Sequence, residues 1–200
     1  MTTARKIKEV FDQTRTDKGS THNYQTGYEF VFKDHTPSTL LEIGIKQGRS
    51  LAAWKLLFPE CQITGVDITD KEFIPEYIKL ADSKNIICDS THPKVLEQLE
   101  PKYDVIIDDG SHFYQDILDT FDLLKDRFNH AYVVEDSMYE TDLLVAYAKS
   151  LGFVVTRFPS PRKNIPVNTG ILTKRKYGPK EITTIVSLEQ VVIQFPSIQK

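Results

Sequence analysis

From Thr39 onward, short runs of β-branched and apolar residues alternate with longer stretches of helical character, and this alternation restricts the chain to an α/β fold with a mostly parallel sheet. The sequence predicts strands over 39–45, 62–67, 85–88, 103–108, 131–135, 153–158 and 169–174. Helices are predicted over 49–57, 93–99, 115–127 and 141–151, with a polar opening helix over 4–14. In the third of these, Ile117, Leu118, Phe121 and Leu124 recur at spacings of three and four, which builds one apolar face. Pro59 and Gly152 stop the helices before them. No repeat, low-complexity tract or Gly/Ser linker divides the 200 residues, so one domain is expected: a helix and lid over 1–38, a core over 39–177 and an extension over 178–200. The β-prone runs of that extension, 182–186 and 191–195, have no assigned place on the core.

Between the first strand and the first helix of this pattern lies Leu40-Leu41-Glu42-Ile43-Gly44-Ile45-Lys46-Gln47-Gly48-Arg49-Ser50. A strand that passes through two glycines into a helix makes a ligand loop. Glycine permits positive φ and close approach, and the helix start offers unpaired N–H groups to a carboxylate or phosphate. Gly44 and Gly48 are four apart, unlike the G-x-G-x-x-G of dinucleotide binders, so an amino-acid carboxylate suits the loop better than a pyrophosphate. The next strand ends in Val66-Asp67-Ile68, where the acid can accept both hydroxyls of a ribose, and the third ends in Cys88-Asp89-Ser90, near where an adenine edge would lie.

Strands four and five end in Asp108-Asp109-Gly110-Ser111-His112 and Glu135-Asp136-Ser137. Adjacent parallel strands open their carboxyl ends onto one crevice, so Asp109 and Asp136 can face a common point. Two unpaired carboxylates repel, and a divalent cation with oxygen ligands, most simply Mg²⁺, relieves that repulsion. His112 lies on the glycine turn just beyond, and histidine is the side chain suited to proton transfer near neutral pH. The bland readings are that Asp109 caps a turn and that His112 is a surface residue.

The series E-x-G-x-x-x-G, V-D and C-D-S at successive strand ends resembles the S-adenosylmethionine (SAM) motifs of class I methyltransferases. The strings D-D-G-S-H and V-V-E-D-S are similar to the magnesium-dependent macrolide and sugar O-methyltransferases of natural-product biosynthesis. The resemblance covers roughly residues 40–174. It implies a Rossmann-like fold, a seven-stranded, mostly parallel sheet with helices on both faces and an antiparallel last strand, for which 169–174 is the candidate. It also implies a SAM side made by Glu42, Gly44, Gly48, Ser50 and Asp67, continued by Ile68, Asp89, Ser90 and Asp108. Asp109 and Asp136 would hold Mg²⁺, and His112, with Asp109, would be catalytic. The upstream Asp17-Lys18-Gly19-Ser20-Thr21-His22-Asn23-Tyr24 resembles the lead-in that closes over SAM, with a contact from Tyr24. Macrolide enzymes carry an additional amino-terminal domain, whereas fewer than 40 residues precede the first strand here, so their substrates do not transfer.

The implied activity is a SAM-dependent O-methyltransferase acting on a hydroxyl of a sugar or small metabolite. The alternatives are an NAD-dependent oxidoreductase on a related sheet, which the glycine spacing disfavours, and an inactive SAM- or nucleic-acid-binding module. A net charge of −3 and a pI near 6.0 supply no field for nucleic acid or anionic membrane. The acid-free stretch from Pro159 to Lys180 is the one basic patch, read either as a solvated face or as an anion site. Two cysteines make no disulfide framework, and neither a leader nor a membrane-spanning run is legible, so a cytoplasmic protein is expected. A homo-oligomer is left open.

Overall fold

The computed structural model describes residues 3–137, 141–159, 165–166, 185–186 and 189–196. The strands are β1 (Thr39–Ile43), β2 (Gln62–Asp67), β3 (Lys84–Ile87), β4 (Tyr103–Asp108), β5 (Phe128–Ser137) and β6 (Val154–Pro159), followed by the two-residue β7 (Ile165–Pro166) and β8 (Ile185–Val186) and then β9 (Glu189–Gln194). Seven of them form one sheet in the order β3-β2-β1-β4-β5-β9-β6, while β7 and β8 pair separately. The contacts from β3 across to β5 are parallel, and β9 runs antiparallel to both β5 and β6. The sheet is therefore the seven-stranded, mostly parallel sheet that the resemblance implies.

Its antiparallel strand is not the one expected. The candidate 169–174 lies outside the described residues, and the unplaced tail supplies the strand instead. Val191, Val192 and Ile193 are fully buried between β5 and β6. An unbroken apolar run of this kind suits a strand covered on both faces, so its pattern carries no mark of which neighbours it will take. The basic stretch also falls largely outside the described residues.

The helices are α1 (Thr3–Thr14), α2 (Asp17–Ser20), α3 (Gln25–Phe32), α4 (Arg49–Leu57), α5 (Pro75–Ala81), α6 (Tyr114–Leu124) and α7 (Thr141–Ser150), with a 3₁₀ turn at Pro93–Glu97. α2, α3 and α5 are additions to the sequence reading; at four to eight residues each, they are too short to show a full amphipathic repeat. The polar opening helix nevertheless has a docking stripe. Ile7 and Phe11, one turn apart, are buried, and the Phe11 ring meets those of Trp54 and Tyr28 edge-on at 5.4 and 5.9 Å. Each such burial stabilises by roughly 2 kcal/mol, and Ile7 and Phe11 share one core cluster with Tyr28, Phe32 and residues of the sheet. On the opposite face α6 and α7 bury Ile117, Phe121, Leu124, Leu144 and Ala148.

Strand order reverses between β1 and β4, which places the functional crevice at the carboxyl ends of β2, β1, β4 and β5. The register aligns these tips: Ile43 pairs with Val66 on one side and with Asp108 on the other.

Candidate active site

β1 ends two residues earlier than the sequence predicts, because Gly44 adopts φ +89° and leaves the extended path. Its N–H donates to the Val66 carbonyl at 2.8 Å, while the tip of β4 folds over it, with Asp109 N–H donating to the Ile43 carbonyl at 2.9 Å. A Cβ at Gly44 would collide with the carbonyl group of Asp109. Gly48, at φ +79°, then turns the chain into α4, whose first residues Arg49 and Ser50 line the crevice and whose first N–H groups have no side-chain cap. Asp67 secures the loop: its Oδ2 accepts from the Ile45 and Lys46 N–H groups, both at 2.8 Å. Its Oδ1 accepts only a longer bond from Thr69 at 3.1 Å and retains acceptor capacity toward the cleft.

The cleft has a volume of about 1840 Å³, room for a nucleoside cofactor together with an acceptor. At the β3 end, Asp89 accepts from the Thr91 hydroxyl at 2.7 Å and its N–H at 2.9 Å, which hold the carboxyl below its ordinary range. Ser90 bonds Thr120 at 3.2 Å. Ile68 and Phe113 also line the cleft, although 74% and 41% exposed, and apolar surface of this kind gains by contact with a planar ring.

Across the cleft stand Asp109, His112 and Asp136, whose ligand-type atoms all lie within 4.8 Å of one another. His112 and Asp136 adopt positive φ, 60° and 50°, conformations that cost a side-chain-bearing residue about 1 kcal/mol and are maintained by the surrounding contacts. The imidazole sits between the two carboxylates, with Nε2 3.8 Å from Asp109 Oδ1 and Nδ1 3.6 Å from Asp136 Oδ2. Both separations exceed a hydrogen bond. His112 Nδ1 is buried without a hydrogen-bond partner among the described residues. Two carboxylate oxygens held this close together fit a divalent cation with oxygen ligands, and the imidazole between them is placed for proton transfer beside it.

Behind this group lies a second one. Lys18 is fully buried, its ammonium 2.6 Å from Asp109 Oδ2, 2.6 Å from Glu135 Oε2 and 3.1 Å from Glu42 Oε1. Burial opposes its charge, but Asp109, Glu135 and Glu42 outweigh that and keep it protonated. Burial in turn pushes the Glu42 and Glu135 carboxyls up, since one ammonium is shared among three carboxylates. Tyr28 donates to Glu135 Oε1, and the Trp54 indole N–H donates to Glu42 Oε2 at 2.9 Å.

Asp108 is buried at the end of β4, where Tyr132 donates to its Oδ2 at 2.9 Å and the Gly110 N–H to its Oδ1 at 3.3 Å. Burial raises its carboxyl to about 6, against the contrary pull of these hydrogen bonds. A raised folded-state value means that the contribution to stability is complete below about pH 4 and is lost as pH rises through 6. Asp108→Asn, neutral at every pH, is therefore expected to be more stable than the native chain at pH 8 by on the order of 2–3 kcal/mol. Near pH 4 the two should be alike. Urea unfolding at the two pH values checks this, and equal stabilities at pH 8 would refute it.

Of the residues predicted from sequence, Gly44, Ser50, Asp67, Ile68, Asp89, Ser90, Asp108, Asp109, His112 and Asp136 all line the one cleft. Three predicted for the cofactor side do not. Glu42 alternates onto the other face of β1 and is buried against Trp54 and Lys18. Tyr24 is buried, with its hydroxyl donating to Asp136 Oδ1 rather than facing the cleft. Gly48 shapes the turn from behind, where an added Cβ would meet Ile78. Lys18 and Tyr28 have no site role in the sequence reading, whose only signal for Lys18 is its place in the Asp17–Tyr24 run; Glu135, read there as a group beside the site rather than a metal ligand, supports Lys18.

No known family profile matches the chain. It is 33% identical over 135 residues to the 8-demethyl-8-alpha-L-rhamnosyl tetracenomycin-C 2'-O-methyltransferase of Streptomyces olivaceus, covering 60% of this chain and 34% of that protein. The mycinamicin VI 2''-O-methyltransferase of Micromonospora griseorubida is 32% identical over 135 residues, covering 59% of this chain and 32% of its own length. The chain thus spans about a third of the length of these curated relatives. Among solved structures, the MycE methyltransferase of the mycinamycin biosynthetic pathway, in complex with Mg and SAH, aligns with a TM-score of 0.58 at 29% identity over 74% of this chain and 42% of that one. A precorrin-6y C5,15-methyltransferase from Geobacter metallireducens matches at a TM-score of 0.61 over 86% and 87% of the two chains, and at 14% identity that likeness concerns the fold alone.

Proposed function

We propose that this chain, with its class I methyltransferase fold and its similarity to sugar O-methyltransferases, transfers the methyl group of SAM to a hydroxyl of a sugar or small hydroxylated metabolite with the assistance of Mg²⁺. One observation carries the reading: the glycine loop, the acids at the β2 and β3 ends and the Asp109–His112–Asp136 group all border a single cleft. When bound, SAM supplies an electrophilic methyl group and Mg²⁺ lowers the pKa of the acceptor hydroxyl.

The residues divide the remaining work. The Gly44 turn and the start of α4 accept the amino-acid end of the donor, and Asp67 and Asp89 orient its nucleoside. Asp109 Oδ1 and Asp136 Oδ2 would hold the cation. Because Mg²⁺ prefers oxygen ligands, His112 keeps a lone pair for the proton. The tautomer with its proton on Nδ1, facing Asp136, leaves Nε2 to receive the acceptor's proton. The rest is alignment and exclusion of water. A cytoplasmic setting fits two free thiols, Cys61 and Cys88, and no helix among the described residues is long and apolar enough to cross a membrane.

Calorimetry with SAM, with and without Mg²⁺, followed by a screen of hydroxylated acceptors, tests the proposal. EDTA is expected to reduce methyl transfer by about 100-fold or more and added Mg²⁺ to restore it, with SAM affinity changing little. Binding of NAD in place of SAM would overturn the reading.

A further inference from the structure

The run from Lys18 to Tyr24 touches both carboxylates of the candidate metal site, and it does so in the same way at each. Lys18 takes Asp109 Oδ2 at 2.6 Å. Tyr24 donates to Asp136 Oδ1, which also lies 3.2 Å from His22 Nδ1. The other two oxygens, Asp109 Oδ1 and Asp136 Oδ2, are the ones turned toward His112. Each carboxylate therefore has one oxygen held from behind and one presented to the cleft.

We propose that Lys18 is a positioning residue of the metal site: by binding one oxygen of Asp109 it leaves the other as a single, fixed ligand, as Tyr24 does for Asp136. This rests on the metal-assisted reading above. A carboxylate free to rotate can offer a cation both oxygens or neither, whereas one tethered oxygen on each Asp favours a small cation that keeps several waters. Lys18 has no route to the cleft itself, being 1% exposed and absent from its walls. Its ammonium also joins the tips of β1, β4 and β5 through Glu42, Asp109 and Glu135, so that the tether is anchored in the sheet and not in a loop.

The test uses the full chain and Mn²⁺ as the probe, with free Mn²⁺ followed by electron paramagnetic resonance. Lys18→Met is expected to weaken Mn²⁺ binding by about 10–100-fold while SAM affinity stays within about threefold. Removing a positive charge beside a ligand would by itself tighten cation binding, so the sign separates positioning from simple charge balance. Lys18→Met combined with Glu135→Gln restores the local charge without the tether, and should remain weak. Tyr24→Phe tests the second tether without burying an unpaired charge, and keeps the proposal testable if Lys18→Met fails to fold; a loss of about 10-fold is expected there. A native chain that binds no Mn²⁺ would remove the metal reading and this inference together. Native binding that is unchanged or tighter in Lys18→Met, or unchanged in Tyr24→Phe, or recovered in the double variant, would overturn the positioning role alone.

Discussion

Replacing His112 by alanine is expected to lower methyl transfer by about 10²–10⁴-fold at neutral pH, with SAM affinity held close to the native value. The split follows from position. His112 stands between Asp109 and Asp136, and its Nε2 is the imidazole nitrogen left to take a proton once Nδ1 faces Asp136. The side chain that secures the glycine loop is Asp67, not His112. Its place among potential ligands adds a second measurement. As a base it contributes no bond to the cation, so His112→Ala should leave Mn²⁺ affinity nearly unchanged, whereas an imidazole ligand would take affinity and turnover down together. Turnover within threefold of native would remove His112 from the chemistry.

Among the described glycines, Gly44→Ala should be the most damaging single methyl addition, costing roughly 3 kcal/mol or more of stability and most of the SAM affinity. Two penalties coincide there. At φ +89° any L side chain is strained, and the new Cβ would press on the Asp109 backbone, 2.7 Å from its carbonyl carbon, where no flexible atom can give way. Relief would require the tips of β1 and β4 to separate, which would move Asp109 and the donor loop at once. Gly152 provides the control. It has the same φ of +89° but nothing within 4 Å of its added Cβ, so Gly152→Ala should show the conformational cost alone, about 1 kcal/mol. Equal losses in the two variants, measured by urea unfolding, would show that the backbone contact at Gly44 is not decisive.

The two glycines also show how far the sequence could be read. That Gly44 and Gly48 mark a strand-to-helix loop was legible, although the predicted strand ran on to residue 45, because glycine between an apolar run and a helix has few other uses. Its second reason, the approach of Asp109 from a strand 60 residues later, was not, since it depends on how β1 and β4 pair. The same division holds for Glu42. Motif likeness placed it beside the cofactor, but the period-2 alternation of β1 sends it to the face opposite Leu41 and Ile43, and only the docking of α1 and α4 made that face a buried one with Lys18 inside it.

The sequence by itself determined the α/β class, five parallel strand tips and the acids and histidine gathered there, because strand periodicity, turn chemistry and strand-end position are local properties. Tertiary structure decided what is not local. It set β9 between β5 and β6, although β9 is the last of the described strands. It also placed the Lys18 ammonium among carboxylates 24, 91 and 117 residues away. A buried charge has no signature in its own neighbourhood: lysine in a polar run looks like any solvated lysine until the fold brings three acids around it and closes out the water.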